Sequence, residues 1–145
     1  MSVMGVHRNE WTLHAFFAVE ESGAPADKFL APGFEMIGSI FARPDAPRSG
    51  SMTERRAQLD ATYESWFVEQ REVLRSPDGR LVAILARTAM RDGKSECGLG
   101  AGIFEFRDEL IVRATMFQDV DAALLEAGID GPYKGSAAGS GSPGA

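Results

Sequence analysis

Apolar and polar positions read mainly as helices, with one short strand, over the first 66 residues, and the period switches to that of strands from 67 to 118. The second half therefore reads as four consecutive strands: Phe67 to Arg75, Arg80 to Arg91, Ser95 to Phe106 and Leu110 to Gln118. Hairpin-type turns separate them at Ser76-Pro-Asp-Gly79, Arg91-Asp-Gly-Lys94 and Arg107-Asp-Glu109. Leu81-Val-Ala-Ile-Leu85 is apolar without alternation, as expected of a strand covered on both faces.

Upstream, Asn9 is placed to cap a helix from Glu10 to Ser22 that Gly23 ends, with Leu13, Phe16, Phe17 and Glu20 on its stripe. A short helix is expected over Pro25 to Ala31, stopped by Pro32-Gly33, and then a strand over Phe34 to Phe41. Ala42 to Gly50 reads as a loop. Ser51-Met-Thr-Glu54 is a capping box for a helix to about Trp66, with Met52, Leu59, Tyr63 and Trp66 on one side. A last helix spans Val120 to Ala127 and ends at Gly128. Residues 1–8 are expected to be a flexible start, 9–130 a single domain, and 131–145 a disordered Gly/Ser-rich tail. Helices followed by a strand meander make an α+β fold with helices packed on a curved sheet.

Composition narrows the function. At 145 residues, with 44% hydrophobic and 25% charged residues, one domain with one core is expected. A net charge of −6 without basic clusters argues against nucleic acid, which needs a positive footprint. No apolar run approaches the roughly 20 residues that span a bilayer, and the start has no secretory h-region, so a cytoplasmic protein is expected. The single Cys97 has no metal-ligand spacing around it and reads as a small buried strand residue. No metal or organic cofactor is indicated.

The order α-α-β-α-β-β-β-β-α resembles the nuclear transport factor 2-like superfamily, the cone fold of ketosteroid isomerase and the SnoaL-like polyketide cyclases. The resemblance rests on Phe29-Leu-Ala-Pro-Gly-Phe34, Pro47-Arg-Ser-Gly50, Ile103-Phe-Glu-Phe-Arg-Asp108 and Phe117-Gln-Asp-Val-Asp-Ala-Ala-Leu-Leu-Glu-Ala-Gly128. It implies a curved antiparallel or mixed sheet with three N-terminal helices on its concave face. The isomerase pattern places its Tyr and two Asp at Phe16 or Phe17, Gly38 and Gly102, none of which carries a proton. Nor does any predicted strand carry the Arg-x-Asp of the epoxide hydrolases.

Strand alternation then sorts the faces. By analogy with the family, Gly98, Gly100, Gly102, Phe104 and Phe106 look into the cone together with Arg113, Thr115 and Phe117. The glycines either open a cavity or let another element pack close. Arg113 either meets a ligand anion or sits in a structural ion pair with Glu35 or Asp119. Asp119 aligns with the base of some SnoaL-like cyclases and also stands where a helix cap is wanted. His14 on the first helix is a candidate acid or an ordinary helix histidine. Asp119, Arg113 and His14 are thus the candidate proton-transfer group. Phe17, Met36, Trp66, Gly102, Phe104, Thr115 and Phe117 are the candidate lining of an apolar pocket. The expected ligand is a small hydrophobic molecule bearing a carbonyl or carboxylate. A cone filled by its own side chains, serving dimerisation, is the alternative. Leu99, Ala101, Ile103, Val112, Ala114 and Met116 make the opposite face too apolar for water, and the resemblance implies a homodimer there.

Overall fold

The structure is a computed structural model that describes residues 3–41 and 52–134, with side chains from Arg8 onward. The loop expected over 42–50 and the cap residue Ser51 lie outside the described residues. Helix α1 spans Val3–Glu21 and so includes the start expected to be flexible. Asn9 lies inside it, 7% exposed, instead of capping it. No proline interrupts residues 3–9, and the one glycine, Gly5, costs a helix only about 1 kcal/mol. The second expected helix is a single 3₁₀ turn, Asp27–Phe29. Strand β1, Leu30–Gly38, follows directly and takes in Pro32-Gly33. It tolerates both because it is an edge strand with an irregular register between Leu30 and Glu35, and Gly33 takes φ +80° there.

Helix α2 covers Met52–Thr62, so Trp66 belongs to the next strand. The meander is β2 (Ser65–Arg75), β3 (Leu81–Arg91), β4 (Lys94–Arg107) and β5 (Leu110–Phe117), with spatial order β1-β5-β4-β3-β2. All pairs are antiparallel except β1 with β5, which is parallel. The turns carry the positive φ that tight hairpins require: Asp92 and Gly93 in one, Asp108 and Glu109 in the other. Leu81 to Leu85 are all buried, as a doubly covered strand must be. Cys97 is exposed, correcting its expected burial: it pairs with Thr88 toward the hairpin end of β4, past the helices that cover the sheet centre.

Two apolar layers enclose the sheet. On the inner face Leu13, Phe16 and Phe17 of α1 meet Leu81, Ala83, Leu85, Phe104, Ile111 and Ala114. On the outer face helix α3, Val120–Ala127, sets Val120, Ala123, Leu124 and Ala127 against Val82, Ile84, Ala101 and Ile103. Asp119 caps α3 by accepting from the Ala122 N–H at 3.2 Å, and Gly128 at φ +76° closes it. Tyr133 docks beside it: its N–H donates to Asp121 at 2.9 Å and its hydroxyl bonds Glu72. The tail proposed from residue 131 is thus anchored as far as Tyr133, and 135–145 lie outside the described residues.

This arrangement corrects the expected dimer surface. Ala101 and Ile103 are covered by the chain's own α3. Ala114 and Met116 face the inner layer. The reason is a bulge: Glu105 pairs with Arg113 and Phe106 with Ile111, leaving Val112 as an extra residue that reverses the faces of β5 beyond it. None of the described helices is long and apolar enough to cross a membrane.

Candidate functional site

Where α1, α2, the end of β1 and the start of β2 diverge from the sheet, they enclose a chamber of about 620 Å³. That lies within the range of small-molecule sites. Its walls are aromatic. Phe17 meets Phe104 edge-on at 5.6 Å, while Phe41 contacts Tyr63 at 5.4 Å and Trp66 at 6.3 Å. Met36, Met52, Leu59, Leu85 and Met116 supply flexible or aliphatic surface between the rings.

Helix α2 brings a cation into this apolar setting. Met52, Arg55 and Leu59 are spaced i, i+3, i+7, so Arg55 shares the helix stripe that faces the chamber. It is 5% exposed. Its Nη2 donates to the carbonyls of Met36 at 3.1 Å and Gly38 at 2.8 Å, while Nε is buried with no hydrogen-bond partner. Burial lowers its pKa, because the charged form loses hydration.

A second polar group sits on the α1 side. Glu20 Oε1 pairs with Arg56 at 3.1 Å, and Arg56 also donates to the Glu20 carbonyl at 3.0 Å. The other carboxylate oxygen, Oε2, is buried without a partner. Burial raises the Glu20 pKa, the Arg56 charge opposes that, and Asp27 adds to it. Gln58 contributes a third unpartnered buried atom, Oε1. Arg56 also stacks over Trp66 at 5.5 Å, and the Trp66 indole donates to Asp60 at 2.8 Å. Among the described residues no cluster of His, Cys, Asp and Glu could hold a metal ion.

Of the expected lining, Phe17, Met36, Trp66 and Phe104 face the chamber. Gly102, Thr115 and Phe117 do not line it. Gly102 is on the inner face, but Met116 and Phe104 occupy the space beside it: a Cβ there would lie 2.8 Å from Met116 Sδ. Its smallness therefore serves close packing. Phe117 packs in the outer layer, and the half-buried Thr115 shares its side of β5, both turned outward by the bulge at Val112.

The three residues expected to transfer protons stand elsewhere. Arg113 is half-exposed and pairs with Glu35 at 3.5 Å and Glu105 at 3.9 Å, the structural ion pair weighed above. Asp119 is the α3 cap on the outer side. His14 is exposed on α1, with Nδ1 2.6 Å from Gln70 Nε2. Sequence reading missed Arg55, Glu20, Phe41, Tyr63 and Met116. The available signal was a lone charge on the apolar stripe of α2, three residues after Met52 and four before Leu59.

No family profile and no curated protein matches the sequence. Solved structures do match in fold. TerC, co-crystallized with polyporic acid, aligns with 15% identity and a TM-score of 0.65 over 83% of this chain and 97% of that one. An NTF2-like protein of unknown function from Burkholderia pseudomallei aligns with 16% identity and a TM-score of 0.63 over 88% of this chain and 98% of its own. A SnoaL-like polyketide cyclase from Jannaschia aligns with 15% identity and a TM-score of 0.59, covering 87% and 94%. The fold is that of the nuclear transport factor 2-like superfamily, α+β with a mixed five-stranded sheet.

Proposed function

We propose that this protein binds a small, predominantly apolar molecule carrying a carbonyl or carboxylate oxygen inside the chamber. The carrying observation is a chamber of about 620 Å³ whose aromatic walls also carry the polar side chains of Arg55, Glu20 and Gln58. A largely apolar cavity of that size with a few convergent polar groups is the usual form of a small-molecule site. The neighbours add weight, one having been crystallized with polyporic acid and another being described as a polyketide cyclase. Phe17, Met36, Trp66 and Phe104 contact the apolar body on this reading. Glu20 is the group placed to exchange a proton with it, since its pKa is displaced toward the range useful for acid–base work. The size of the chamber counts against a cone filled by its own side chains.

Native mass spectrometry of freshly purified protein tests the proposal. We expect a bound organic species that disappears when Leu59→Trp fills the chamber. A protein mass without adduct, combined with no thermal shift from any aromatic carbonyl compound in a screen, would overturn it.

A further inference from the structure

The chamber contains one charge that nothing among the described residues neutralises. Four carboxylates stand on its walls, and each has an oxygen already engaged. Glu20 pairs with Arg56, Glu21 accepts from the Gln70 N–H at 3.1 Å, Asp60 accepts from Trp66, and Glu64 accepts from the Asp92 N–H at 3.0 Å. The second wall cation, Arg56, is committed to Glu20. No described carboxylate lies within ion-pair distance of Arg55. The carbonyls of Met36 and Gly38 satisfy Nη2, but dipoles of neutral peptides do not cancel a full charge.

The same two carbonyls fix the guanidinium in place before any ligand arrives. Gly38 holds φ +78° and lies so close to β5 that a Cβ would meet the Met116 carbonyl oxygen at 2.4 Å. Its own carbonyl is thereby set toward Arg55. With Nη2 spent on both carbonyls and Nε sealed by packing, Nη1 is the guanidinium group left to meet one oxygen of an anion. Among the described residues one positive charge on the walls is uncompensated, so a monoanion fits and a phosphate dianion would leave excess charge buried.

We propose that Arg55 anchors a carboxylate, and that the ligand is an aromatic or alicyclic monocarboxylic acid with its ring against Phe17, Phe104 and Trp66. This rests on the chamber being a ligand site, as proposed above. Burial lowers the Arg55 pKa in the free protein, and a bound carboxylate would oppose that shift.

Two isosteric probes decide the matter: biphenyl-4-carboxylate and the neutral biphenyl-4-carboxamide, titrated calorimetrically into the full chain. We expect the carboxylate to bind about tenfold more tightly or better. Arg55→Met should bring the two probes to within about twofold of each other, and Arg55→Gln, which removes the charge but keeps a polar side chain, should do the same. Equal affinity of the wild-type chain for both probes, or a preference that survives in Arg55→Met, would overturn the anchor and leave the chamber reading standing. Binding of neither probe would sink the chamber reading itself. Where Arg55→Met does not fold, Arg55→Gln decides: a lost preference supports the anchor, an unchanged one overturns it.

Discussion

The two faces of the sheet are built from the same strands and finished differently. Outside, the eight-residue α3 presses Ala123 and Ala127 directly onto Ala101, Ile103, Val82 and Ile84, and that layer is closed. Inside, Phe17, Phe41, Tyr63 and Trp66 stand between the helices and the sheet, meeting edge-to-face or tilted, and a chamber of about 620 Å³ remains. Small residues at a contact let a helix sit close and exclude space, whereas rings bridge a gap without filling its corners. The closed face is where stability concentrates, and the open face is where binding can occur.

The sharpest way to break this contrast is to truncate a leucine on each side. Leu124→Ala on the closed face should cost about 3 kcal/mol in urea unfolding, because the removed atoms leave a void among packed neighbours. Leu59→Ala on the chamber wall should cost about 1 kcal/mol, since much of its surroundings is already empty. Equal losses would show that the chamber closes in solution.

Two glycines on the inner face of β4 refine the comparison. At Gly100 a Cβ would meet the Phe117 carbonyl oxygen at 2.8 Å and Ile40 Cβ at 2.9 Å, so Gly100→Ala should cost about 2 kcal/mol. At Gly102 the obstacles are the Met116 sulfur at 2.8 Å, which has the chamber to move into, and the Phe104 ring at 2.9 Å, so Gly102→Ala should cost less than Gly100→Ala, about 1 kcal/mol. A reversed order in thermal unfolding would mean that Met116 is locked.

Asp119→Ala should lose about 1 kcal/mol of stability through the α3 cap and leave probe affinity untouched. A change in affinity would return Asp119 to the site.

The smallest effect is a slope. The Glu20 pKa is raised above its ordinary 4.5, so its relative stabilisation is fully present below that pH and is lost as pH rises through the higher folded value. Glu20→Gln should flatten this part of the stability–pH curve, measured as urea midpoints from acidic to neutral pH. An unchanged curve would place Glu20 in water.

Much of the architecture was legible in the residues. The meander from 67 to 118, its three turns and the limits of α3 follow from local rules, because alternation and Asp-Gly or positive-φ turns act over a few residues. Four of the seven lining residues expected from the sequence were legible too: Phe17, Met36, Trp66 and Phe104 are large apolar residues on correctly phased elements. Phe117 and Thr115 were not, since parity counted along β5 carries no mark of the extra residue at Val112. Pro32-Gly33 likewise reads as a stop signal, and only its place on a sheet edge allows a strand to pass through it.

The chain alone thus determines its periods, turns and helix ends, because those depend on neighbours within a turn or a hairpin. Which face of β5 looks inward, which layer closes, and that Arg55 is buried with no counter-charge among the described residues were decided by tertiary packing. Burial and ion pairing are set by residues far apart in the chain, and no local pattern records them.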